Sequence, residues 1–164
     1  MTGAGKSYFL NVLAGDEDPS DGTFVVGTGS KSETKFFSES RVTLYGTNQK
    51  ASLFDMPGLY DTEKQDNDHL DNLQLHMKTS TGGKYTAVLL VLNSTQRKTS
   101  EVDTVVNILR CFFVDDRIIP VFSKCGSSRR SRANAESMAR SYVEDWNRNA
   151  IVFKDPVFVG EDRD

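Results

Sequence analysis

The sequence has few cysteines and no long apolar run. Its two cysteines, Cys111 and Cys125, do not form a Cys-x-x-Cys pair, so neither a disulfide framework nor a cysteine-based zinc site is predicted. The longest apolar run, from Tyr85 to Leu92, is far shorter than the roughly 20 residues that a membrane span needs, and no secretory leader is recognised. We therefore expect a cytoplasmic protein without a transmembrane segment, although membrane association of a longer form stays open.

The chain also lacks an excess of basic residues. Its formal net charge is -3 and its pI is near 5.4, whereas proteins that bind nucleic acid normally carry a basic face. With 164 residues and a hydrophobic fraction of 37%, it is long enough for one sizeable core and too short for two full domains. We therefore expect residues 1–164 to form a single domain with no nucleic-acid partner.

Segments with helical and strand periods alternate along the chain. A helix is predicted from Lys6 to Ala14, followed by a polar surface loop, and a β-hairpin is predicted from Arg41–Tyr45 and Ala51–Phe54. The run from Tyr85 to Leu92 is typical of a central strand that is covered on both faces. Later in the chain, apolar residues at helical spacing predict helices near Val102–Phe113 and Ala135–Trp146. Strands are predicted near Arg117–Phe122 and Pro156–Val159. This order predicts an α/β fold, a three-layer sandwich with a mostly parallel sheet.

The first residues carry a phosphate-binding motif. Thr2-Gly3-Ala4-Gly5-Lys6-Ser7 matches the last six positions of G-x-x-x-x-G-K-[ST] and leads directly into the first predicted helix. Glycines let backbone N–H groups surround a phosphate, and the helix N-terminus adds positive potential. Lys6 is predicted to contact the terminal phosphates, and the Ser7 hydroxyl to bind Mg²⁺. The structural alternative is a glycine-rich turn that caps a helix.

A second motif, Asp55-Met56-Pro57-Gly58, follows a predicted strand about 50 residues after Lys6. This is the position of a Walker-B aspartate, which holds magnesium through water, while the Gly58 N–H meets the γ-phosphate. Between the two motifs, Thr34 is a candidate magnesium ligand when a triphosphate is bound. A common D-x-P-G turn and an ordinary loop threonine are the alternatives.

The motif at the start of the chain is incomplete. Its leading glycine would precede Met1, and so would the apolar strand that normally enters the loop. We therefore expect a P-loop nucleotide-binding sandwich that lacks its first strand, truncated within the phosphate loop and also at its C-terminus, because the sequence stops soon after the last predicted strand.

Four segments in this order resemble the AIG (GIMAP) type of immunity-associated nucleotide-binding proteins, which are P-loop GTPases related to the septins and to chloroplast-import GTPases. The segments are Thr2–Gly15, Ser32–Thr34, Asp55–Thr62 and Leu92–Glu101, and the resemblance spans essentially the whole chain. It implies GTP and GDP as ligands, Mg²⁺ as cofactor, and self-association of GTP-bound copies. Arg97, Thr99 and Glu101 fit the family's own sequence box in part. Arg97 is therefore a candidate arginine finger that acts in trans, with a surface salt bridge as the alternative.

Two positions depart from the usual GTPase pattern. Ser123-Lys124-Cys125-Gly126 stands where most GTPases have [NT]-K-x-D, so the guanine-reading aspartate is absent, although Lys124 is placed to cover the base. Leu59 stands where many small GTPases have the glutamine that orients water, which predicts slow hydrolysis. The residues therefore leave three functions open: a slow GTPase, a pseudo-GTPase that binds without turnover, and an adenine-nucleotide P-loop ATPase or kinase.

Two further groups of polar residues are interpreted as solvated. His69 and His76 are seven positions apart on a predicted helix, which does not suit shared metal ligation. Arg129, Arg130 and Arg132 form a short basic cluster, for which a solvated loop is the expectation and partner binding the alternative.

Overall fold

A computed structural model describes residues 4–27, 37–58, 71, 73–76, 79, 85–95, 99–112, 117–126, 128–147 and 156–160. The chain forms two compact units, an N-terminal unit of Met1–Lys84 and a C-terminal unit of Tyr85–Asp164. None of the helices within the described residues has the length and hydropathy that a membrane span requires. The expectation of one domain over residues 1–164 stays a prediction.

The N-terminal unit begins with helix α1, Lys6–Ala14, which has a glycine at each end. Gly5 has a φ of 78° and Gly15 a φ of 79°, a left-handed conformation that costs glycine little. The backbone N–H groups of Gly15 and Asp16 donate to the carbonyls of Val12 and Asn11, which is the Schellman pattern of helix termination. The predicted boundaries of this helix are confirmed.

A two-stranded hairpin follows α1 in the N-terminal unit. Strand β1, Ser38–Thr43, pairs antiparallel with β2, Lys50–Asp55, so that Ser38 lies opposite Asp55. The turn between them contains Gly46 with a φ of 70°. The backbone N–H of Tyr45 also donates to the Leu13 carbonyl at 2.9 Å, which ties the hairpin to the end of α1. The predicted hairpin is confirmed, although β1 begins and ends earlier than expected.

The C-terminal unit contains a three-stranded parallel sheet in the order β3-β4-β5. Strand β3 is Val88–Asn93, β4 is Ile118–Cys125 and β5 is Val157–Gly160. Leu90–Leu92 is buried without alternation, as expected for a strand in a parallel sheet that is covered on both faces. This part of the predicted parallel sheet is confirmed.

Two amphipathic helices complete the C-terminal unit: α2, Ser100–Phe112, and α3, Arg129–Asn147. The Ser128 hydroxyl caps α3 by accepting a hydrogen bond from the Ser131 N–H at 3.1 Å. Their buried residues follow helical spacing, and they are Val102, Val105, Val106 and Leu109 on α2 and Ala135, Ala139, Tyr142 and Trp146 on α3. The described residues thus form a mixed α/β structure with a parallel sheet, in agreement with the coarse fold prediction.

Candidate functional site

The described part of the phosphate-loop motif leads into the N-terminus of α1. Ala4 is buried, Gly5 is the left-handed N-cap, and Lys6 is the half-buried first residue of the helix. Gly5 has no side chain to cap the helix, and the first turn contains no acidic residue. The turn itself therefore supplies no carboxylate to offset the partial positive charge of the helix N-terminus, although the carboxylate of Asp55 contacts Ser7 in this turn.

Ser7 and Asp55 lie in direct contact in the N-terminal unit. The Ser7 hydroxyl donates to Oδ2 of Asp55 at 2.5 Å, although the two residues are 48 positions apart in the sequence. Both residues are buried, with only 2% of Asp55 exposed. The end of β2 thus carries the predicted Walker-B aspartate to the first turn of α1. Gly58, also buried, follows Asp55 after a short non-strand segment.

The chemistry of this pair fits magnesium. A hydroxyl and a carboxylate supply hard oxygen atoms, and magnesium in nucleotide sites typically keeps several water ligands and takes few ligands from the protein. Within the described ranges there is no group of three or more histidine, cysteine or acidic side chains arranged to hold a metal. Among the described residues, Ser7 and Asp55 are the two that the sequence motifs name as magnesium ligands, and they are in contact.

Asn11 is a buried polar residue that sequence reasoning missed. It is completely buried on α1. Its Nδ2 donates to the carbonyls of Pro19 and Phe24, both at 2.8 Å, and its Oδ1 accepts the Phe24 N–H at 2.7 Å. The loop after α1 is exposed in most positions, as predicted, but Phe24 is only 2% exposed. An asparagine within a short apolar helix was the available signal.

Lys124, the candidate base-contacting residue, lies at the end of β4 in the C-terminal unit. It is exposed, and its φ of 56° makes it the one non-glycine residue with positive φ among those described. Its neighbour Cys125 is buried, and the Cys125 thiol donates to the Phe122 carbonyl at 3.2 Å. Side chains at the carboxyl ends of parallel strands are a common source of ligand contacts, and left-handed non-glycine residues cluster at such sites.

The structure gives a steric reason to regard Gly126 as different from the usual aspartate. A Cβ atom at Gly126 would lie 2.9 Å from Cβ and 3.0 Å from Oγ of Ser131, closer than real Cβ contacts allow. Any side chain at this position therefore requires Ser131, in the first turn of α3, to move. The local packing therefore favours glycine at position 126.

A cavity of about 180 Å³ lies beside Cys125 at the end of β4. Its other lining residues are Arg132, Ala135, Glu136 and Phe158. The volume falls below the range of about 300–1,000 Å³ that is typical of small-molecule sites. The cavity by itself therefore does not define a nucleotide site.

Two predictions about polar residues are wrong. His76 is half-buried, and its ring stacks on Phe37 at 5.2 Å between centroids and contacts the edge of Phe54 at 4.8 Å, so it is a packing residue of the N-terminal unit. Arg129, Arg130 and Arg132 lie on the first turn of α3 and not in a loop, although all three are exposed as expected.

Several predicted site residues fall outside the described residues. They are Thr2 and Gly3 of the phosphate loop, the candidate magnesium ligand Thr34, Leu59 after the Walker-B motif, the candidate arginine finger Arg97, and His69. Their assignments stay predictions.

No protein-family model matches this chain, and no curated protein matches it.

Proposed function

We propose that the protein is a P-loop nucleotide-binding protein that takes a nucleoside triphosphate at the N-terminus of α1. The observation that carries the proposal is the buried hydrogen bond between Ser7 and Asp55. Two motifs that sequence analysis identified independently, one for phosphate and one for magnesium, supply the two residues of this contact. The alternative, a glycine-rich turn with only a structural role, does not predict that Ser7 contacts the aspartate of the second motif.

The residues have distinct roles in this proposal. Backbone N–H groups of Gly3, Ala4 and Gly5 and the ammonium group of Lys6 hold the phosphates, together with Thr2. Ser7, Asp55 and Thr34 hold Mg²⁺, directly or through water, and Gly58 meets the terminal phosphate. Bound magnesium would neutralise phosphate charge. By the motif resemblance alone, Lys124 is the candidate for contact with the base.

Guanine as the base, slow hydrolysis and self-association of GTP-bound copies follow from the resemblance to the AIG type. Leu59 in place of a glutamine favours slow hydrolysis in an isolated copy. Arg97 from a second copy is the proposed source of added positive charge during hydrolysis. Turnover per copy is then expected to rise with protein concentration, and Arg97→Ala is expected to abolish that rise.

A pseudo-GTPase that binds nucleotide without turnover is the second candidate. Two departures from the usual GTPase pattern motivate it: Gly126 in place of the base-reading aspartate and Leu59 in place of the water-orienting glutamine. Competition between GTP and ATP, combined with a phosphate-release assay, separates the candidates. Guanine preference with slow release supports the first, binding without release supports the second, and ATP preference supports an ATPase or kinase.

Substitution of Lys6 tests nucleotide binding itself. We expect Lys6→Ala to abolish triphosphate binding in calorimetry, because it removes the cation from a loop of otherwise neutral donors. Lys50→Ala, at an exposed position of β2, is the matched control and is expected to bind like the parent protein. Equal affinity of Lys6→Ala and the parent protein would overturn the phosphate-loop assignment.

A further inference from the structure

Asn11 holds the loop after α1 against the helix through every polar group of its side chain. Both Nδ2 donors and Oδ1 are used, by Pro19 and by the two backbone groups of Phe24. Gly22 approaches so closely that a Cβ there would lie 2.7 Å from Cγ and 2.8 Å from Nδ2 of Asn11. The loop therefore packs against α1 at Gly22 so closely that there is no space for an added methyl group.

The same helix carries Ser7 one turn earlier. Residues four positions apart lie on one face of a helix, and Ser7 and Asn11 are both buried. The Ser7 hydroxyl is bonded to Asp55, and the carbonyl of Leu13 accepts the Tyr45 N–H, so α1 is held to the hairpin near both its ends. Asn11 lies between these two contacts and holds the helix from the side of the loop.

We propose that Asn11 is a positioning residue for magnesium: by fixing α1 against the loop of residues 15–24, it holds the Ser7 hydroxyl in line with Asp55. This inference rests on the proposed magnesium-nucleotide site. Metal sites depend on such support, because a ligand displaced by a fraction of an ångström loses much of its contribution. Loss of a group that hydrogen-bonds a metal ligand directly typically costs about 10–100-fold in metal affinity. Asn11 bonds to Pro19 and Phe24 and acts on Ser7 through α1, so we expect an effect at the lower end of that range.

The test compares nucleotide affinity in Mg²⁺ with affinity in EDTA for the full chain, using a fluorescent GTP analogue. The ratio of the two affinities measures the magnesium-dependent gain. For Asn11→Ala we expect this ratio to fall about tenfold, with the affinity in EDTA close to that of the parent protein. A purely structural role would lower both affinities together through loss of folded protein and would leave the ratio unchanged.

Asn107→Ala is the matched control, because Asn107 is an exposed helix asparagine whose Oδ1 accepts only a 3.2 Å bond from the nearby Arg110 among the contacts described. Thermal unfolding of each variant establishes that it is folded. Should Asn11→Ala fail to fold, Gly22→Ala keeps Asn11 but disturbs its fit with the loop, because the added Cβ would lie 2.4 Å from Oδ2 of Asp16 and 2.7 Å from Cγ of Asn11. It is expected to lower the ratio in the same way.

The outcomes distinguish this inference from the function on which it rests. A parent protein with no magnesium-dependent gain would overturn both. A parent protein with such a gain, together with a folded Asn11→Ala or Gly22→Ala that keeps the full ratio, would overturn the positioning role alone.

Discussion

The Ser7 hydroxyl lies 2.5 Å from Oδ2 of Asp55 and joins the first turn of α1 to the end of β2. A second serine–aspartate contact of the same length occurs in the loop after α1, where the Ser20 hydroxyl donates to Oδ1 of Asp18. The first contact is buried and the second is exposed. Water competes with an exposed hydrogen bond and not with a buried one, so the two contacts should differ in energy.

Substitution of each serine measures that difference. Ser7→Ala is expected to lower the free energy of unfolding by about 1–3 kcal/mol, because a hydroxyl is withdrawn from a buried carboxylate. It should also reduce the magnesium-dependent gain in nucleotide affinity. Ser20→Ala is the matched control, with little expected change in either quantity. Chemical denaturation and nucleotide titration with and without Mg²⁺ provide the measurements, and similar results for both variants would contradict the assignment of Ser7.

Restoring the usual aspartate at position 126 should not by itself increase guanine selectivity above that of the parent protein. In Gly126→Asp the new Cβ would meet Ser131 at 2.9 Å, so we expect a loss of about 1–3 kcal/mol from overpacking and no gain in the preference for GTP over ATP. The double variant with Ser131→Gly removes the clash and should increase that preference. Competition binding and thermal unfolding check both expectations. A single variant with normal stability and strong guanine selectivity would contradict them.

Two substitutions of Lys124 separate the effect of its backbone conformation on stability from the effect of its ammonium group on nucleotide affinity. Because its φ is 56°, Lys124→Gly should leave the free energy of unfolding within about 1 kcal/mol of the parent value, whereas Lys124→Val should destabilise the C-terminal unit clearly. Both variants lose the ammonium group, so both should bind nucleotide more weakly. Normal affinity in a folded Lys124→Gly would exclude Lys124 from the base site.

Trp146 on α3 bonds to Asp103 on α2. The indole N–H donates to Oδ1 of Asp103 at 3.0 Å, and Trp146 also contacts the Tyr142 ring edge. We expect Trp146→Phe to lower the free energy of unfolding by about 1–3 kcal/mol, because it removes a donor to a carboxylate. Asp103→Asn retains an oxygen acceptor and should cost less. Equal losses in urea denaturation would show that the bond itself contributes little.

The pKa of Glu101 depends on hydrogen bonds at the start of α2. The Thr99 hydroxyl and then backbone N–H hydrogen bonding lower the pKa of Glu101 below its ordinary value of 4.5. A lowered folded pKa means that this contribution to stability is present above pH 4.5 and is lost as the pH falls through the folded pKa. In a carbon-detected NMR titration, Thr99→Val should raise the Glu101 pKa towards 4.5. Thr104→Val, whose hydroxyl bonds to the Ser100 carbonyl, should not.

Local features were predictable where the sequence contains their cause. Helix α1 was predicted with its observed ends because Gly5 and Gly15 flank an apolar segment. The strands β3 and β4 were predicted because continuous apolar runs of strand length suit a parallel sheet. Candidate site residues such as Ser7 and Asp55 were recognisable from motif order and spacing. These are properties of short segments, which local conformation and periodicity govern.

Relationships between distant residues were decided by the tertiary structure. The sequence by itself determined that Ser7 and Asp55 were candidates, and only packing brought the hydroxyl against the carboxylate. Burial of Asn11 on α1 was not predicted, and it is possible because Pro19 and Phe24 satisfy the side-chain amide. His76 was predicted to be solvated, and it instead packs against two phenylalanine rings. A hydrophobic pattern indicates which apolar side chains are buried. Burial of a polar group depends on hydrogen-bond partners that only the folded chain supplies.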